Sequence, residues 1–302
     1  MNDRSKKLLA AQTLGVDALT ARVFTAFEEA DIDCVLLKGP VLARWLYEDG
    51  MVRSYGDADI LVPETRLTDA KAMLATLGLT PFRGIATGRP VHAQRLSGDA
   101  GTVDLHHQFT GAHAPAQRFW NLVWKNTEEM TVGGRSVRVP TVSVRALIVA
   151  LHAIQHGTGF DKSLMDLERA LSIADVPVWE EARDLAVTLE ATEAFAAGLR
   201  LIEPGNALAD HLGLPSELPT EMALRREGSP TPALVIDWVV QQPGLTGKLG
   251  ALGRAIVPPR EKLDPAGTGS LVGVYAAHWS RIARTAPQGL RRWYGARKKK
   301  DP

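Results

Sequence analysis

Apolar and polar positions fall into two regimes along the chain. Leu8, Leu9, Leu14, Val16, Leu19, Val23, Phe24 and Phe27 recur near the helical period and predict a helix over 7–30. Asp31-Ile32-Asp33 interrupts it, and Cys34-Val35-Leu36-Leu37 reads as a short buried strand. Lys38-Gly39-Pro40 turns the chain into a helix over 41–47, where Pro40 suits the first position because an N–H there would lack an intrahelical partner. Glu48-Asp49-Gly50 closes that helix. A strand over 57–62 and a helix over 65–77, stopped by Gly78, come next. Strands over 91–96 and 102–109 flank Ser97-Gly98-Asp99-Ala100-Gly101; a helix covers 116–124; and Gly133-Gly134 joins 130–132 to 136–139 as a hairpin.

After Pro140 the alternation ends. Helical patterns run over 142–155, 162–174, 178–189, 193–201, 234–241 and 270–283, with no strand pattern among them. The stretch 204–232 is rich in Pro and Gly and reads as a long connection. The pattern predicts a mixed α/β domain over 1–140 and a helical domain over 141–302. The basic tail from Arg291 to Lys300 reads as a frayed, solubilising end, with anionic lipid, nucleic acid or a partner protein as alternative uses.

Composition changes this picture mainly by exclusion. At 302 residues and 45% hydrophobic, the chain has material for one large or two modest cores. Lys and Arg number 35 against 34 Asp and Glu, a net charge of +1 that disfavours nucleic acid as partner or acceptor. A single cysteine, Cys34, excludes an internal disulfide and a cysteine-based zinc cluster. The longest apolar runs, 146–151 and 271–277, fall far short of the roughly 20 residues of a membrane span, so a soluble cytoplasmic protein is expected.

Candidate chemistry begins at Ser54-Tyr55-Gly56-Asp57-Ala58-Asp59-Ile60-Leu61-Val62. Asp57 and Asp59 project from one face of a strand, about 6.6 Å apart along it, while Ala58, Ile60 and Val62 face a core. Two carboxylates opening an apolar strand are costly without a cation between them, and a divalent metal with hard oxygen preferences is the natural one. Asp104, in Thr102-Val103-Asp104-Leu105-His106, points away from its apolar neighbours and is the candidate third ligand. The plainer alternative makes Asp57 a turn residue and Asp104 a solvated strand residue. Upstream, Leu36-Leu37-Lys38-Gly39-Pro40 has the form of a phosphate cradle: a strand, a glycine turn, a helix start and a cation. An ordinary strand-to-helix turn would look the same.

The segments Leu36–Tyr47 and Met51–Val62 together resemble the signature of a bacterial nucleotidyltransferase family within the DNA polymerase β-like nucleotidyltransferase superfamily. Lys38, Gly39, Tyr47, Arg53, Asp57, Asp59, Asp104 and His106 stand where that family carries its motif. Leu151-His152-Ala153-Ile154-Gln155-His156 and Ser163-Leu164-Met165-Asp166-Leu167 extend the likeness into the helical part. One departure is that the superfamily's Gly-Ser is Gly39-Pro40 here. The resemblance implies an α/β (α+β) nucleotidyltransferase-type domain with a mixed sheet, followed by an all-helical C-terminal domain. It also implies a two-metal Mg²⁺ site on Asp57, Asp59 and Asp104, and a nucleoside triphosphate, ATP foremost, contacted by Lys38, Gly39 and Arg53. The product is a nucleoside monophosphate ester of a small-molecule or protein acceptor, with Asp104 positioning or deprotonating the attacking group. A catalytically inactive nucleotide- or partner-binding module on the same fold is the alternative.

His106 shares the strand face of Asp104, and His152 and His156 share a helix face, so all three are candidates to line the acceptor pocket or support the site. Ala153, where a zincin has Glu, and the lack of a third ligand argue against zinc on the helix pair. Asp166 is a further candidate, with Lys162 at (i, i+4) as its expected partner, and Arg53 has Glu48 or Asp49 as alternative ion-pair partners. Gly244-Leu245-Thr246-Gly247-Lys248 lacks the spacing and the Ser or Thr of a P-loop.

Overall fold

The computed structural model describes residues 3–47, 53–82, 91–228, 230–264, 267 and 269–298. The first amphipathic segment forms α1 (Asp3–Glu29), burying Val16, Leu19, Val23 and Phe27. There follow β1 (Val35–Leu36), α2 (Pro40–Leu46), β2 (Ala58–Leu61), α3 (Leu67–Thr76), β3 (Thr80–Pro81), β4 (Ala93–Gly98), β5 (Gly101–His106), α4 (Ala116–Lys125) and the hairpin of β6 (Thr127–Val132) and β7 (Arg135–Pro140). Five strands form a mixed sheet in the order β1-β2-β5-β4-β3. β2 and β5 run parallel and the other neighbours antiparallel, with Asp59 beside Asp104 and Asp104 beside Arg95.

The two sheet faces have different fates. Ala58, Ile60, Val62, Val103 and Leu105 pack with α1 and α3 into one apolar core. Alternation placed these residues correctly, but β2 is buried on its other face as well, where Leu61 joins a second core and Asp59 is 5% exposed. That second face carries the polar site.

The helical part begins with α5 (Val142–His156), buried on nearly every side by α6 (Asp161–Ile173), α7 (Val176–Thr188) and α8 (Thr192–Leu199). Then come α9 (Glu203–His211), α10 (Thr220–Arg226), α11 (Thr231–Gln241), α12 (Gly244–Ile256), α13 (Arg260–Leu263) and α14 (Leu271–Lys298). One apolar cluster joins Val35, Leu37, Leu42, Leu61 and Phe109 to Leu147, Leu151, Leu167 and Phe195, so burial is continuous across Pro140. The change there is one of element class, and the core runs through it.

Two sequence expectations need correction, and one helix, α12, had no counterpart among the predicted elements. The stretch 204–232 holds α9 and α10 rather than a long connection: Pro204 stands in the first turn of α9 and Pro219 caps α10, while Pro215 lies between the two helices. Helix α12 forms despite Gly244, Gly247, Gly250 and Gly253, and it buries Ala251 and Ala255. The basic tail is not frayed as far as Lys298: α14 continues through Arg291, and Trp293 Nε1 donates to Asp237 Oδ1 at 2.9 Å. Lys299 and Lys300, like Glu48, Asp49 and Gly50, lie outside the described residues.

Candidate active site

Lys38, Gly39, Arg53, Asp57, Asp59, Asp104, His106, His152 and His156 all line one cleft, with a volume of about 260 Å³. The sheet supplies the floor. Parallel pairing sets Asp59 of β2 next to Asp104 of β5, antiparallel pairing sets Arg95 of β4 next to Asp104, and Asp57 enters two residues before Asp59 on the same face. Helix α5 supplies the opposite wall through His152, Gln155 and His156.

Charge is matched in two layers. In the deeper one, Asp59 Oδ1 lies 2.8 Å from Lys38 Nζ and 3.0 Å from His106 Nε2. Burial alone would raise the Asp59 pKa, but the Lys38 charge and the His106 hydrogen bond outweigh it and hold the carboxyl well below the usual range. In the outer layer, Arg95 donates to Asp104 through Nε at 2.8 Å and Nη2 at 2.9 Å, and Nη2 also reaches Asp57 Oδ2 at 2.9 Å. Asp57 is nevertheless raised, first by burial and then by repulsion from Asp59 and Asp104. Three carboxylates therefore crowd one face, and two of them, Asp57 and Asp104, are bridged by a guanidinium whose side chain is about half exposed (48%).

Gly39 makes the turn that follows Lys38 in the cleft lining. Its φ of +61° is one that a side chain rarely tolerates, and an added Cβ would come 3.4 Å from the Asp57 carbonyl oxygen. The turn is braced from below by Arg53, whose Nη1 donates to the Gly39 carbonyl at 3.3 Å.

Arg53 and Asp166 have partners that the sequence did not suggest. Arg53 grips Asp166 with two parallel bonds, Nε to Oδ1 at 2.8 Å and Nη2 to Oδ2 at 2.7 Å. Tyr47 Oη donates to the same Oδ1 at 2.9 Å. Burial opposes the Arg53 charge, and the bonds from Asp166 more than restore it. Asp166 sits on α6 and Arg53 just before β2, so this clasp ties the helical part to the strand bearing the aspartates. Asp166 is thus bonded to Arg53 rather than to Lys162, which lies in the cleft wall. Glu48 and Asp49, the other partners considered for Arg53, lie outside the described residues.

The histidines form a largely neutral wall. Burial lowers His92 to about 3, His152 well below its ordinary value, and His156 to a lesser degree. His152 and His156 stack edge to face with centroids 4.8 Å apart, and His156 meets Phe160 at 4.8 Å. The structure adds Tyr55, His92, Arg95, Gln155, Phe160 and Lys162 to the lining. Arg95 had one legible signal: it stands at an alternating position of a strand whose hairpin partner carries Asp104.

Among the described residues, no group of three or more His, Cys, Asp or Glu stands ready as a metal cage. Asp57 and Asp104 instead share Arg95. The donor chemistry still suits a hard divalent cation, because Asp57 and Asp104 both turn a carboxylate oxygen toward the one Arg95 nitrogen.

Residues 3–204 match a family described as uncharacterised nucleotidyltransferases. The chain belongs to that family. Nucleotidyl transfer is its enzyme class, and the mixed sheet with its helical C-terminal region is the fold the sequence pointed to. No curated protein matches the sequence at a significant level. Among solved structures, this nucleotidyltransferase is similar to the antibiotic-resistance factor ANT(2'')-Ia in complex with adenylyl-2''-tobramycin: 15% identity, TM-score 0.42, over 57% of this chain and 97% of that one. It is also similar to the lincosamide antibiotic adenylyltransferase LnuA with lincomycin bound (15%, 0.36, over 51% and 94%). A third is an antigenic nucleotidyltransferase-like protein from Paracoccidioides brasiliensis (15%, 0.38, over 60% and 93%). No described helix of the nucleotidyltransferase is long and apolar enough to cross a membrane.

Proposed function

We propose that this nucleotidyltransferase moves a nucleoside monophosphate from a nucleoside triphosphate, ATP foremost, to a hydroxyl of a small-molecule or protein acceptor. The observation that carries the reading is the row Asp59, Asp104 and Arg95 across three paired strands, with Asp57 beside it, at the floor of a cleft. Asp57, Asp59 and Asp104 would hold Mg²⁺, which would supply charge neutralisation on the phosphates and polarise the α-phosphoryl group.

The chain's own residues account for the remaining steps. Lys38 and Gly39, both buried in the cleft lining, receive the triphosphate, and Arg53 braces their turn. Asp57 and Asp104 would be free to hold a cation only once Arg95 swung away from them, which its half-exposed side chain permits. Asp104 accepts the acceptor's hydroxyl proton, the acceptor oxygen bonds to the α-phosphorus, and the bond to the β-phosphate breaks with its electrons leaving on pyrophosphate. His106 holds Asp59 in place. Residues 1–140 provide this floor, and 141–302 provide the facing wall through His152 and His156.

The test is transfer of label from each α-labelled nucleoside triphosphate to a cell extract with Mg²⁺. Asp57→Asn and Asp59→Asn should each abolish labelling while circular dichroism stays native. Full transfer by either folded variant sinks the mechanism. Titration of triphosphate with and without Mg²⁺ separates catalysis from passive binding, since only the former requires metal-dependent affinity.

A further inference from the structure

The region beyond residue 204 lies outside the family match, and its charge is unlike the rest of the chain. Residues 231–302 carry twelve Lys and Arg against four Asp and Glu, a net +8 within a protein whose total is +1. Helices α12 and α14 contain no acidic residue at all.

Both helices also expose an apolar stripe. On α12, Leu245, Leu249, Leu252 and Ile256 follow a 4-3-4 spacing, which places them in one row, and Leu245 is 74% exposed. On α14, Val272, Trp279, Leu290 and Tyr294 share one face, with Val272 79% exposed. The rows meet: Trp279 Nε1 donates to the Ile256 carbonyl at 2.8 Å, and His278 Nε2 lies 3.0 Å from the Ala255 carbonyl oxygen. Along the flank of the α14 row run Arg284, Arg291 and Lys298, all exposed and spaced seven apart. That spacing brings successive cations back to nearly the same angle on a helix.

We propose that α12 and α14 form a docking surface for an anionic phospholipid membrane, lying in the plane of the interface. The apolar row with Trp279 and Tyr294 would enter the headgroup boundary, and the basic row would meet anionic lipid. Charge selects this occupant: a second copy seated on the same face would oppose two regions of net +8, whereas an anionic bilayer neutralises them. The device is interfacial, since neither helix is long and apolar enough to span a membrane.

The experiment is vesicle flotation with the full chain, comparing phosphatidylcholine vesicles with vesicles containing phosphatidylglycerol at about 30 mol %. Partitioning to the anionic vesicles should exceed that to neutral ones by about tenfold, and salt at about 0.5 M should abolish it. Leu245→Ser with Leu249→Ser, and separately Arg284→Gln with Arg291→Gln, should each reduce binding by about tenfold without moving the melting curve, because all four side chains are exposed. Absent or equal binding to both vesicle types overturns the proposal. So does a dimer in light scattering that Leu245→Ser with Leu249→Ser dissolves, because the face would then belong to a second copy.

Discussion

Replacing Asp166 with alanine tests whether the Arg53–Asp166 clasp joins the helical part to the catalytic strand. Both side chains are nearly inaccessible, at 4% and 1% exposure. The substitution removes two charge-assisted bonds from Arg53 and the acceptor of the Tyr47 hydroxyl. A buried guanidinium left without its carboxylate costs about 3–5 kcal/mol, and the orphaned hydroxyl adds about 1. At about 2–4 °C per kcal/mol for a chain of this size, the melting temperature should fall by roughly 10 °C or more. Urea unfolding followed by circular dichroism measures the loss directly. The double variant Arg53→Met with Asp166→Leu should recover most of it, since the cost lies in an unpaired charge rather than in the lost pair. A loss below about 1 kcal/mol in Asp166→Ala would refute the reasoning. So would a double variant as unstable as the two single variants combined.

Three further outcomes follow from the cleft. Arg95→Gln should tighten Mn²⁺ binding in the absence of nucleotide by about fivefold, because a half-exposed ion pair of about 1 kcal/mol no longer competes for Asp57 and Asp104; unchanged calorimetric affinity would remove Arg95 from the cation's place. Gly39→Ala should cost about 1–2 kcal/mol in urea unfolding, since φ of +61° disfavours any side chain there; an unchanged midpoint counts against a strained turn. His92 and His152 are held neutral in the fold, below the ordinary value near 6.5 of the unfolded chain, so protons bind the unfolded state first. Stability should accordingly fall as the pH drops from 7 to 5, by about 4 kcal/mol for the two together, and His92→Gln with His152→Gln should flatten the profile.

Much of the floor of the candidate site was legible in the sequence. Alternation places Asp57, Asp59 and Asp104 opposite their apolar neighbours, and turn chemistry places Gly39. Partner choice was not legible. Pairing Arg53 with Asp166 spans over one hundred positions of chain, and local spacing instead favoured Lys162 for Asp166. Arg95 escaped because its role depends on the register of β4 against β5, set by the two-residue turn Asp99-Ala100 where the sequence suggested five residues. Beyond Pro204, proline and glycine were read as breakers, whereas Pro204 and Pro232 lie in the first turns of helices and Pro219 caps one. The four glycines of α12 are carried by tertiary contact, against their own weak propensity.

The pairing of β2 with β5 has one more consequence. Ile60 and Leu105, seated beneath α1 and α3, fix the same register that brings Asp59 beside Asp104 on the opposite face. The apolar side is therefore the ruler by which the acidic side is measured. Because side chains alternate, a slip of one residue would send Asp104 into oil and Val103 into the cleft. Lesions of turnover can thus arise at positions that touch no substrate, and an overpacked Val103 would be read in kinetics as a missing carboxylate.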